Sequence, residues 1–134
     1  MKAVIIVWEI ILRRIKLAKY TKRFKGDFNE LVDWLHGDIT SGSISVTYED
    51  GSDVSFGDVK TAVRVYERYS AIGGNRVSMN VTVVGQGDDL YVCAITSGGS
   101  QAVFFKINTI GENSFLSLCE NSVENYIFDK TSDG

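Results

Sequence analysis

"RVSMNVTVV", residues 76–84, alternates without a break: Val77, Met79, Val81 and Val83 fall on one side, Arg76, Ser78, Asn80 and Thr82 on the other. A period of two turns one set toward a core and the other toward water, as in an antiparallel strand with one covered face. The cover must come from elements elsewhere in the chain.

On the N-terminal side, Gly73-Gly74-Asn75 bends the chain, and "KTAVRVYERYS" (60–70) alternates again, with Val63, Val65 and Tyr69 opposed to Arg64, Tyr66 and Arg68. "SISVTY" (43–48) reads as a strand, "EDGS" (49–52) as a turn and "DVSF" (53–56) as a short return. On the C-terminal side, "GQGDD" (85–89) leads into the strand "LYVCAIT" (90–96). "SGGS" (97–100) and then "AVFFKI" (102–107) read as a hairpin turn and a further strand. A phosphate-binding loop would need a lysine and a Ser or Thr directly after its glycines, with a helix behind them. A G-x-S-x-G nucleophile elbow is not present either.

Helical patterns flank this run of strands. After a short edge strand, "KYTKRFK" (19–25), Gly26 breaks the alternation, and Asp27 with Glu30 forms the start of a helix over "FNELVDWLH". Phe28, Leu31, Val32 and Leu35 share its apolar stripe, and Gly37 is expected to end it. In "GENSFLSLCENSVENYIF" (111–128), Phe115, Leu118, Cys119, Ser122 and Tyr126 make a second stripe, with Leu116, Val123 and Ile127 beside it. The order predicts an α+β fold: an antiparallel meander sheet of about five to six strands, with an N-terminal and a C-terminal helix packed on one face in helix-grip-like order. A ligand binder of this order is expected to hold a pocket between sheet and helix, lined by Tyr66, Met79, Tyr91 and Phe105 or their neighbours.

The 134 residues, 44% hydrophobic and without proline, suit one compact domain, expected over residues 17–130 with a tail at 131–134. Residues 1–25 hold eight of the fourteen Lys and Arg against one acid, which leaves the rest with sixteen acids and six bases. The basic, apolar leader at 1–16 is too short for a bilayer span and has the wrong charge order for a signal peptide. It reads as translated sequence upstream of a natural start at Leu17, since Arg13-Arg14 can be encoded as AGGAGG, a ribosome-binding sequence. The alternative is a short amphipathic helix, and membrane contact is expected only if residues 1–16 are genuine. Two cysteines fit a reduced, cytoplasmic setting, and with one histidine they supply no zinc-ligand pattern. No metal and no cofactor are implied.

Candidate functional residues are few. Ser97, Gly98, Gly99, Ser100 and Gln101 could form a small anion nest, with Arg76 or Lys106 adding charge. Arg64, Tyr66 and Arg68 would offer a polar, aromatic strand face for surface contact, although the acidic body argues against a nucleic-acid partner. His36 is placed in the last turn of its helix, near the C-terminal carbonyls, rather than in a catalytic role. Cys93 and Cys119 read as small core residues, and Glu49-Asp50 and Asp88-Asp89 as turn acids.

"KYTKRFKGDFNELVDWLHGDI" and "VYERYSAIGGNRVSMNVTVVGQGDDLYVCAITSGGSQAVFFKINTIGE" resemble a small family of uncharacterised proteins, mostly from Gram-positive anaerobic bacteria. The resemblance runs from about Lys19 to the final helix and implies a cytoplasmic single domain, without an activity to carry over. The expected function is therefore a non-catalytic module for a small ligand or a protein partner. The alternative is a structural protein that forms a homodimer through a sheet edge or helix face, and an enzyme of unrecognised type ranks behind both.

Overall fold

The computed structural model describes residues 18–42, 45–70, 75–98 and 113–132. They form, in chain order, strand β1 (Ala18–Lys25), helix α1 (Phe28–Ser41), strands β2 (Val46–Phe56), β3 (Val59–Ser70), β4 (Asn75–Gln86) and β5 (Asp89–Gly98), and helix α2 (Asn113–Ser132). The strands make one antiparallel sheet in the order β1-β5-β4-β3-β2. β2 to β5 are a meander of sequence neighbours. Two of its reversals turn at Gly57 and Gly87, whose φ values of 59° and 60° are the left-handed torsions a tight hairpin needs. β1 lies beyond β5, because α1 intervenes between it and the meander.

Val77, Met79, Val81 and Val83 are buried beneath the helices, as the alternation of residues 76–84 predicts. Ala62 and Tyr66 on β3 and Leu90, Val92 and Ala94 on β5 extend the same face. α1 supplies Leu31, Val32, Leu35 and Ile39, and α2 supplies Phe115, Leu116, Cys119, Val123 and Tyr126. On the opposite face Val63, Val65, Val84, Cys93 and Ile95 are only half-buried. The helices therefore cover one face of the sheet.

Tyr126 joins the three parts. Its hydroxyl oxygen accepts from the backbone N–H of Asp27 at 3.0 Å, and its ring meets Trp34 edge-on at 5.5 Å and Phe24 at 6.1 Å. A Cβ on Gly26 would stand 2.8 Å from that ring, so the link from β1 to α1 has room only for glycine. One residue on, the Asp27 carboxylate accepts from the Glu30 N–H at 2.9 Å and caps α1.

Four sequence expectations need correction. Gly37 does not end α1, which continues to Ser41; Gly37 sits on the solvent side, and burial of Ile39 in the core holds the extra turn. "EDGS" is not a turn, since β2 runs through it and the reversal comes at Gly57. The faces of β3 are exchanged: Arg64, Tyr66 and Arg68 point to the helices, and Val63, Val65 and Tyr69 do not. Among the described residues the expected lining is not brought together: Tyr66 and Met79 are both 0% exposed and paired in register within the packed core, while Tyr91 lies on the opposite face. Phe105, "AVFFKI", Gly73-Gly74 and the leader 1–16 lie outside the described residues.

Met79→Ala should lower the unfolding free energy by about 3 kcal/mol through the cavity it leaves. Asn80→Ala, on the open face one residue away, should change it by under about 0.5 kcal/mol. Urea denaturation of the two variants measures both.

Candidate functional site

Along one edge of α1, Val32, Asp33 and His36 follow at i, i+1 and i+4 and face the outer end of the sheet. What stands opposite them is set by an irregularity in β2. Tyr48 is opposite Tyr66 but Asp50 is opposite Val65, so Glu49 is an extra residue, a β-bulge. One extra residue exchanges the faces of the rest of the strand. Gly51 and Asp53, opposite Arg64 and Ala62, thereby join Tyr48 on the helix side. Val54 and Phe56 are sent to the other side, where they are 47% and 75% exposed. The Tyr48 hydroxyl lies over Gly51, where a Cβ would come within 2.6 Å of it.

Between α1 and β2 these residues line an open cleft of about 310 Å³: Val32, Asp33, His36, Tyr48 and Arg64, with the segment Gly51, Ser52 and Asp53. His36 and Arg64 are held by partners within the fold. His36 Nδ1 is 2.8 Å from the Tyr66 hydroxyl, and the Tyr48 ring meets the imidazole edge-on at 5.0 Å. Burial pushes the Tyr66 phenol up from its ordinary acidity, so it remains a neutral hydroxyl. The contact with Nδ1 fixes the orientation of the imidazole against β3.

Arg64 and Asp53 form a two-pronged pair, Nη1 to Oδ1 at 2.6 Å and Nη2 to Oδ2 at 3.2 Å. Nη1 also donates to the Val63 carbonyl at 3.0 Å. The guanidinium hydrogen bond holds the Asp53 carboxyl below its ordinary value. The Asp33 carboxylate is exposed at the rim and has no hydrogen bond or ion pair with any described residue.

The residues singled out from sequence are not brought together here. Tyr66 and Arg64 belong to the cleft, but Tyr66 is its buried support and not an exposed contact residue. Arg68 lies on the same face near the start of β2, opposite Val46. Arg76 is on the open face, paired with Glu67 at 3.2 Å, and Ser97 is on that face at the end of β5. Gly98 takes a φ of 125°, a torsion that favours glycine, while Gly99, Ser100, Gln101 and Lys106 lie outside the described residues. His36 is in the middle of α1 and hydrogen-bonds Tyr66 instead of lying at a helix end. Cys119 is inert core: burial pushes its thiol up to about 12. Tyr48, Asp33 and Asp53 carry no motif that marks them in the sequence. The i, i+3 spacing of Asp33 and His36 on one helix edge is the available signal. Among the described residues no group of three His, Cys, Asp or Glu is placed to hold a metal ion.

A family model described as a family of unknown function (DUF6054) matches residues 17–127. No curated protein matches the chain. Among solved structures, hypothetical protein jhp0584 from Helicobacter pylori is similar at a TM-score of 0.50 and 11% identity, over 82% of this chain and 86% of that one. Protein PA94 from Pseudomonas aeruginosa, of unknown function, is similar at 0.45 and 8%, over 60% and 69%. Truncated norcoclaurine synthase from Thalictrum flavum is similar at 0.39 and 8%, over 84% and 92%. Of these three, the first shows a shared fold, and at this identity none speaks to activity.

Tyr66→Phe should keep the ring packing and cost about 1 kcal/mol from the lost hydrogen bond. It should also remove the partner of His36 Nδ1, read as a change in the ring-nitrogen NMR shifts. Asp53→Asn should cost under about 1 kcal/mol at neutral pH, because the carboxylate is 65% exposed. Since the folded value for Asp53 is the depressed one, the pair's contribution is present above the ordinary carboxylate range. It is lost as pH falls through the folded value. Denaturation curves of wild type and Asp53→Asn should therefore converge in acid.

Proposed function

We propose that this chain, which belongs to the family of unknown function DUF6054, is a non-catalytic module that binds a small molecule in the cleft between α1 and β2. The observation that carries this reading is a cleft in which the imidazole of His36 and the guanidinium of Arg64 are already fixed by internal partners. Tyr66 holds the imidazole and Asp53 holds the guanidinium. Groups fixed before a ligand arrives lose little freedom on binding, which is the physical basis of selective recognition. The volume of about 310 Å³ is that of a small organic ligand. A reducing, cytoplasmic setting is part of the same proposal, supported by the free thiols Cys93 and Cys119. None of the described helices is long and apolar enough to cross a membrane.

A second reading, an oligomerising interaction protein, draws on a different part of the molecule. Val54 and Phe56 stand exposed on the edge strand β2, a place where a second chain could pair. The two readings separate in native mass spectrometry of protein purified from a cell extract. The binding module should carry a small-molecule mass adduct that Tyr48→Ala loses while its circular dichroism stays unchanged. A dimer with no adduct, abolished by Phe56→Ser, would move the case to the interaction protein.

A further inference from the structure

We infer that the ligand of this cleft carries a positively charged amine that is held by the Asp33 carboxylate beside the Tyr48 ring, an inference that rests on the binding reading above. The charges lining the cleft are Asp33, Asp53 and Arg64. Arg64 gives Nη1 and Nη2 to Asp53 and Nη1 also to the Val63 carbonyl, so an anionic ligand meets a guanidinium whose charge an internal carboxylate already offsets. Asp33 has no such partner among the described residues, so the carboxylates of Asp33 and Asp53 outnumber the single guanidinium that lines the cleft. A cation meets the Asp33 charge without breaking any bond in the protein.

The Tyr48 ring is 46% exposed and lines the same cleft, so it offers an aromatic wall to an organic ammonium. Lys60 borders an adjoining hollow of about 270 Å³ that shares Asp53. Register sets Arg64 opposite Gly51 and Lys60 opposite Ser55, on either side of Asp53, so Lys60 lies toward the far end from Arg64. The amine end is therefore fixed at Asp33, and the rest of a longer ligand runs toward Asn29 and Thr61.

The test uses three probes with the same ring and similar chain length: phenethylamine, 2-phenylethanol and 3-phenylpropionate. Each is titrated into nitrogen-15-labelled full-length protein and followed by amide NMR shifts. Phenethylamine alone should move the amides of Asp33, His36, Gly51 and Ser52 saturably, and added sodium chloride should weaken it. Asp33→Asn, a change at an exposed position, should keep the folded spectrum and bind phenethylamine about tenfold more weakly. The inference is overturned if the carboxylate or the alcohol shifts those amides as strongly, if Asp33→Asn binds equally well, or if none of the probes shifts them. The adduct measurement with Tyr48→Ala is independent of ligand charge, so an adduct lost in that variant would keep the cleft as a binding site while the amine is rejected.

Discussion

The hydrogen bond from the Asp27 N–H to the Tyr126 hydroxyl closes a contact between residues ninety-nine positions apart. It does so at the point where the chain leaves the sheet and enters the first helix. The N–H belongs to a residue at the N-terminus of a helix, where backbone donors lack partners within the helix itself. Tyr126 supplies one from the second helix, and its ring fills the space that Gly26 leaves open. If α1 were displaced there, β1 would lose its direction, α2 would lose its contact with Trp34, and the cleft would lose the wall that carries His36. Around this joint the ion pairs Lys22 with Glu124 and Lys130 with Glu30 are solvent-exposed and add little. The joint is held chiefly by packing.

From this joint outward, the two helices cover β1, β5, β4 and the inner part of β3. The burial falls away at β2, where Val46 is buried but the residues beyond it are mostly exposed. A twisted sheet diverges from a straight helix with each strand away from the line of contact. At the outermost strand the gap has opened into the cleft. The bulge at Glu49 then decides what chemistry faces it. It brings in the carboxylate of Asp53 and the bare backbone of Gly51 where the uninterrupted strand would have presented Val54.

Much of the fold is legible because its strongest signals are local and periodic: residues 76–84, the Asp27 cap and the stripe of α2. The errors share one physical cause. In "TAVRVYERY" the two faces compete, since valines mark one and a single tyrosine with an alanine marks the other, and Tyr66 is the residue that ends fully buried. Valine favours strands on either face, so it reports strand and not side. Arg64 can lie toward the helices because its aliphatic stem packs and Asp53 meets its charged end. Glycine reads as punctuation at Gly37 and Gly51, but tertiary packing keeps one within a helix and a tyrosine hydroxyl requires the other within a strand. The cleft is not legible because its residues come from three elements, with a bulge setting the register. His36 is visible as the single imidazole, but its partner lies thirty positions away across a face that the valines assign to solvent.

β2 is bonded to the sheet along one edge only, and its ladder to β3 is interrupted at the bulge. The opposing wall, α1, is anchored by four buried side chains. The cleft thus has one stiff side and one compliant side, like a clamp with a sprung jaw. A strand held along one edge can shift by a fraction of its spacing without breaking the core beneath it. A shift of β2 would change the width of the cleft, while His36 on α1 stays where Tyr66 and the core hold it. If the cleft takes a ligand as proposed, such a site would discriminate by the chemistry at its fixed wall more sharply than by the thickness of what it holds.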